Sequence, residues 1–182
     1  MRILIATDAW HPQVNGVVRT LTSLAKSASA LGAEIVFLTP DGFPSLAVPT
    51  YPGLRMAWPN RREIARRIET VSPDAIHIAT EGPIGWAARA YCIRRKLAFT
   101  TSYTTRFPEY IAVRSIIPAA VSYAVLRHFH AAAAMTMVAT ASLKQELSAR
   151  GFRKLGGWTR GRELPKAQGP AFRSWWKKRR KP

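Results

Sequence analysis

The chain has 182 residues, 47% of them hydrophobic, which is enough to bury one core and short for two full domains. Its net charge is +18, and residues 151–182 alone hold 11 basic side chains against 1 acidic, so anionic partners are expected: phospholipid headgroups, nucleic acid or phosphorylated substrates. No apolar run approaches the roughly 20 residues of a spanning helix, and the N-terminus lacks the apolar length and cleavage site of a secretory signal, so a cytoplasmic protein is predicted.

Residues 2–7, RILIAT, form a short apolar run of the kind buried on both faces of a parallel sheet. The polar loop DAWHPQVN follows, then a predicted helix in which Val17, Leu21, Leu24, Ala28 and Leu31 recur at helical spacing, with Gly32 placed for a C-terminal cap. EIVFLT, 34–39, is the second strand. From Phe43 to Pro59 the prolines 44, 49, 52 and 59 predict loop with one short edge strand near Tyr51. Asn60 should cap a helix, with Glu63 completing a capping box and Ile64, Ile68 and Val71 facing inward.

DAIHIAT (74–80), LAFTTSY (97–103) and MTMVAT (135–140) read as further strands. Helices are predicted over 84–95, 119–130 and 141–150, and RKLGGWTRG could add one last short strand. Strand and helix alternate five times, which predicts an α/β fold: a doubly wound parallel sheet with helices on both faces. The lone Cys92 excludes an internal disulfide or thiolate cluster and reads as inert packing. His77 falls within a strand, His128 and His130 end a helix, and no spacing among the four histidines suggests a metal site.

In a doubly wound sheet, ligands gather at the carboxyl ends of the strands. The first such turn, TDAWHPQVNGVVRT, places Gly16 at a helix entrance, where backbone N–H groups and the positive end of the dipole can face an anion. It is neither a dinucleotide fingerprint nor a P-loop, and Asn15-Gly16 could simply make the turn.

The string TDAWHPQVNGVVRTLTSLA, followed by EGPIGWAAR and TSYTTRFPEY, resembles the N-terminal domain of bacterial glycosyltransferase family 4, and the resemblance covers residues 1–161. It implies one Rossmann-like half of a GT-B fold, the acceptor side, belonging to a metal-independent retaining enzyme that transfers a hexose from a nucleotide sugar to a lipid or cell-envelope glycan. It further implies that Asn15 and Gly16 reach the donor phosphates and that His11, Gln13, Glu81 and Gly82 line the acceptor side. Asp8 would line the same cleft, but Asp commonly bonds amides of its own loop instead, which favours His11 and Gln13 as the contacts. Many members read His-Thr where this chain has Thr104-Thr105. No imidazole can assist there, so the role passes to Thr104, Thr105 or Arg106, of which Arg106 can stabilise departing phosphate charge.

Residues 162–182 show no period and predict a disordered basic tail. Family members continue past WTRG into a nucleotide-binding half, and no E-x7-E pair of carboxylates follows residue 140, so a truncated or frame-shifted gene, inactive alone, is expected; a separate polypeptide supplying the missing half is the variant of that reading. Arg61, Arg62, Arg66 and Arg67 share a helix with an apolar stripe, suited either to an anionic membrane surface or to ordinary solvation. The alternative to an enzyme is a basic binding protein for membrane or nucleic acid, although no specific nucleic acid is expected.

Overall fold

The computed structural model describes residues 1–48, 51–104 and 118–158. In chain order the elements are β1 (Arg2–Ala6), α1 (Gly16–Ser29), β2 (Glu34–Leu38), β3 (Ser45–Val48), β4 (Tyr51–Ala57), α2 (Arg61–Val71) and β5 (Ala75–Ile78). They continue with α3 (Pro83–Arg94), β6 (Thr100–Tyr103), α4 (Ala119–Ala131), β7 (Met135–Val138), α5 (Ala141–Ala149) and β8 (Leu155–Gly157). Six strands form one parallel sheet in the order β2-β1-β5-β6-β7-β8, and β3 and β4 form a separate antiparallel pair.

Side chains alternate across each strand, and the two faces fill differently. Leu4, Ala6, Ile76, Ile78 and Phe99 pack with Ile64 and Ile68 of α2, Ile84, Ala88 and Cys92 of α3 and Phe129 of α4. On the same face Tyr103 and Val138 meet Leu126 of α4 and Leu147 of α5. The opposite face carries Ile5 and Ala79, covered by Leu21, Val17 and Leu24 of α1. The α/β expectation of helices on both faces therefore holds, four on one side and α1 on the other among the described residues.

Several local expectations are corrected. Leu31 does not complete the α1 stripe: the helix ends at Ser29, and Leu31 is exposed before Gly32 turns the chain at φ +71°. The short edge strand expected near Tyr51 is present as β4, with Pro52 inside it, but it pairs antiparallel with β3 in a stretch expected to be loop. Asn60 does cap α2, accepting from Arg62 N–H, but Glu63 gives its carboxylate to Arg66 and Arg67 instead of closing a capping box. Cys92 is buried as expected, and burial pushes its thiol up to about 12. The C-terminal tail and the stretch holding Thr105 and Arg106 lie outside the described residues.

Candidate functional site

The chain leaves β1 for β2 on one side and returns to β5 on the other, so the strand order reverses between β1 and β5. That switch opens a crevice beyond the carboxyl ends of the strands. Three turns meet there: the loop after β1, the β5–α3 turn and the end of β6.

Asp8 occupies the switch point. Its Oδ1 accepts the Ile84 N–H at 2.7 Å, and its Oδ2 accepts the Gly85 N–H at 3.2 Å and the Thr80 hydroxyl at 2.8 Å. The N-cap of α3 is Gly82, which has no side chain to cap with, so Asp8 supplies the oxygen from across the sheet. This corrects the expectation that Asp8 serves amides of its own loop. Burial raises its pKa, and outweighs the Ile84, Thr80 and Gly85 hydrogen bonds that lower it. A Cβ at Gly82 would overlap the Asp8 carboxyl, and one at Gly85 would overlap the Thr80 carbonyl oxygen.

Asn15 caps α1, its Oδ1 accepting from both Val17 and Val18 N–H at 3.0 Å. Two of the first-turn amides expected to face a ligand are thus already taken; among the described residues the Gly16 N–H has no acceptor, and no side chain or other loop comes within 4 Å of the place a Cβ would take there. Asn15 Nδ2 donates to Gln13 Oε1 at 3.1 Å, which ties Gln13 into the loop. His11 is exposed, edge-on to Trp10.

Gly16, Val17 and Thr20 form one wall of a narrow crevice whose other lining includes Ala79, Ser102, Thr104 and Trp158. Gly16 and Thr104, both singled out from the sequence, therefore come together. Trp158 and Ser102 were not anticipated. Trp158 follows β8, three strands away from β5, and its ring reaches to 6.1 Å from that of His77; no local pattern announces such a reach. His77 itself is buried between the Thr100 hydroxyl at 2.9 Å and the Ser102 hydroxyl at 3.3 Å, and burial lowers its pKa to about 4.

Glu81 is brought to the same end of the sheet but turns away. Its carboxylate is only 3% exposed and meets His130 Nε2, itself 2% exposed, at 3.2 Å. The other ring nitrogen of His130 is 2.8 Å from Thr101 Oγ1, which in turn is 3.0 Å from Thr136 Oγ1. The carboxylate expected to bind an acceptor hydroxyl is therefore turned inward, held by a buried imidazole in α4. Arg89 fixes this part of α4: its Nε donates to Phe129 O and its Nη2 to His128 O, both at 2.9 Å, closing the helix C-terminus with a buried cation. Only the location of His130 in a last helical turn was foreseen.

Comparison with known proteins gives the fold and crevice a family: residues 14–155 match Glycosyltransferase Family 4. The chain belongs to glycosyltransferase family 4. Across its whole length it is 24% identical to a GDP-mannose-dependent alpha-mannosyltransferase of Mycobacterium tuberculosis (strain CDC 1551 / Oshkosh), covering 54% of that protein. It is 23% identical to a similarly named enzyme of Mycolicibacterium smegmatis, over 97% of this chain and 53% of the relative. An alpha-monoglucosyldiacylglycerol synthase of Acholeplasma laidlawii is 26% identical over 60% of this chain and 31% of its own length. The chain spans about half the length of the two mannosyltransferases it matches. No helix among the described residues is long and apolar enough to cross a membrane.

Proposed function

We propose that this family 4 domain is the acceptor-side half of a retaining glycosyltransferase that moves a hexose from a nucleotide sugar to a lipid or cell-envelope glycan at the inner face of the plasma membrane. Transfer then needs a nucleotide-binding half, on further sequence or on a separate polypeptide. The observation that carries this reading is the open wall at Gly16, where an amide at the start of α1 stands beside space that no other described residue fills, at the sheet's switch point. A diphosphate from an opposing lobe can approach that backbone as no residue with a Cβ would allow. The names of the relatives add sugar transfer and, in one case, a diacylglycerol-based product.

In this reading Gly16 N–H and Arg106 stabilise charge developing on the departing phosphate, Thr104 donates a hydrogen bond at the far wall, and Asn15 holds the loop in shape. His11 and Gln13 form the acceptor side of the lip, and the Glu81–Gly82 backbone forms its floor.

The test joins residues 1–158 to the nucleotide-binding half of the Mycobacterium tuberculosis relative and supplies radiolabelled GDP-mannose with a lipid extract. Label in the lipid phase that falls at least about tenfold with Gly16→Val is expected. A folded chimera that transfers nothing, while the intact relative labels the same extract, overturns the assignment.

A further inference from the structure

The β3–β4 hairpin turns an apolar face to solvent. Alternate residues of a strand point opposite ways. Ala57 is buried against the core, and its neighbours Met56 and Trp58 are 46% and 69% exposed. Leu46 stands directly across from Met56 in the register and is 62% exposed. The outward face of such a ribbon is ordinarily polar, and the core needs none of these three side chains.

Three residues after Trp58 the chain enters α2, whose first two positions are Arg61 and Arg62. Cations in the first turn oppose the helix dipole. Both are exposed, and among the described residues neither has a carboxylate partner, because Glu63 is taken by Arg66 at 2.6 Å and Arg67 at 2.7 Å. Arg67 is further committed to the Asp41 carbonyl and the Phe43 ring. Neither helix stability nor ion pairing accounts for Arg61 and Arg62.

We propose that Leu46, Met56 and Trp58, together with Arg61 and Arg62, form the surface by which this domain docks on an anionic lipid bilayer. The arginines meet headgroup phosphates, the indole lies at the interface, and the aliphatic pair enters the acyl boundary. Charge complementarity selects this occupant: an anionic sheet of lipid compensates both arginines and covers the apolar face at once. The inference rests on the membrane part of the function proposed above, and narrows the four arginines of α2 to two.

The test is co-sedimentation of the full chain with phosphatidylcholine vesicles, with and without phosphatidylglycerol, at low salt. The wild type is expected to partition onto the anionic vesicles. Met56→Ser with Trp58→Ser, and separately Arg61→Gln with Arg62→Gln, should each lower the partition coefficient about tenfold, while Arg66→Gln changes it little. Brominated acyl chains should quench the wild type more than Trp58→Phe, and circular dichroism checks that each variant is folded. Variants that bind like the wild type overturn the surface and leave the membrane reading standing. No binding of the wild type to any vesicle overturns both. A dimer in solution that Trp58→Ser dissociates assigns the face to a second copy and overturns the lipid proposal.

Discussion

Asp8 caps a helix that begins 75 residues further along the chain, its Oδ1 accepting the Ile84 N–H at 2.7 Å. The sequence gives α3 a glycine at its own N-cap, so without Asp8 the helix start would lose its only described side-chain acceptor. Asp8→Ala is expected to cost about 2 kcal/mol, at the upper end for loss of a cap because two amides and the Thr80 hydroxyl are left behind. Urea unfolding measures it. A loss below about 0.5 kcal/mol would mean that water caps α3 as well as the carboxylate does.

His77 makes acid stability a readout of the core. Its folded pKa, about 4, lies below the ordinary value of 6.5, so in that window the unfolded chain binds the proton more readily. Its contribution is present above pH 6.5 and is lost as pH falls towards 4, by up to about 3 kcal/mol. Asp8, whose pKa burial raises, acts in the opposite sense: its folded form holds a proton longer, which favours the fold as pH falls. Chemical unfolding between pH 4 and pH 7 should show a flatter slope for His77→Gln than for the wild type. Identical slopes would show that the imidazole is not buried between Thr100 and Ser102.

Three glycines at the switch point separate fold from function. Gly82 and Gly85 are closed in by the Asp8 carboxyl and the Thr80 carbonyl, so alanine at either is expected to cost about 1–3 kcal/mol through overpacking. Gly16 has open space and helical backbone, so Gly16→Ala should leave stability unchanged or raise it by about 0.5 kcal/mol. If the open wall serves phosphate, that same variant loses transfer in the joined enzyme. Thermal melts beside transfer rates distinguish the two, and a destabilised Gly16→Ala would contradict an open wall.

The regular elements were legible because their information is local. The period of Ile64, Ile68 and Val71, the cap at Asn60 and the apolar runs of β1 and β2 all act over a few residues, and each matches an element found. The edge strand near Tyr51 was legible because proline is tolerated at an edge, but its partner β3 was not, and only the pairing of Leu46 with Met56 shows it. At the site, Gly16 and Thr104 were readable as turn residues at strand ends. Asp8 on Ile84, Glu81 on His130 and Trp158 on His77 join residues tens of positions apart, and no spacing rule reaches that far.

Arg89 should be the residue on which the Glu81–His130 contact depends without touching it. Its guanidinium uses Nε and Nη2 on two successive α4 carbonyls, Phe129 and His128, and lies over the Trp86 ring, so both direction and charge matter. Lysine keeps the charge and loses the fork. Arg89→Lys is therefore expected to cost about 2 kcal/mol, and Arg89→Ala more, since the helix end then buries carbonyls with no donor. Loosening the last turn of α4 should also release His130 from Thr101 and Glu81, seen as faster exchange of the imidazole N–H protons in NMR spectra. If Arg89→Lys is destabilised and His130 stays protected, the two sets of contacts in the last turn of α4 are independent, and the Glu81–His130 contact does not depend on Arg89.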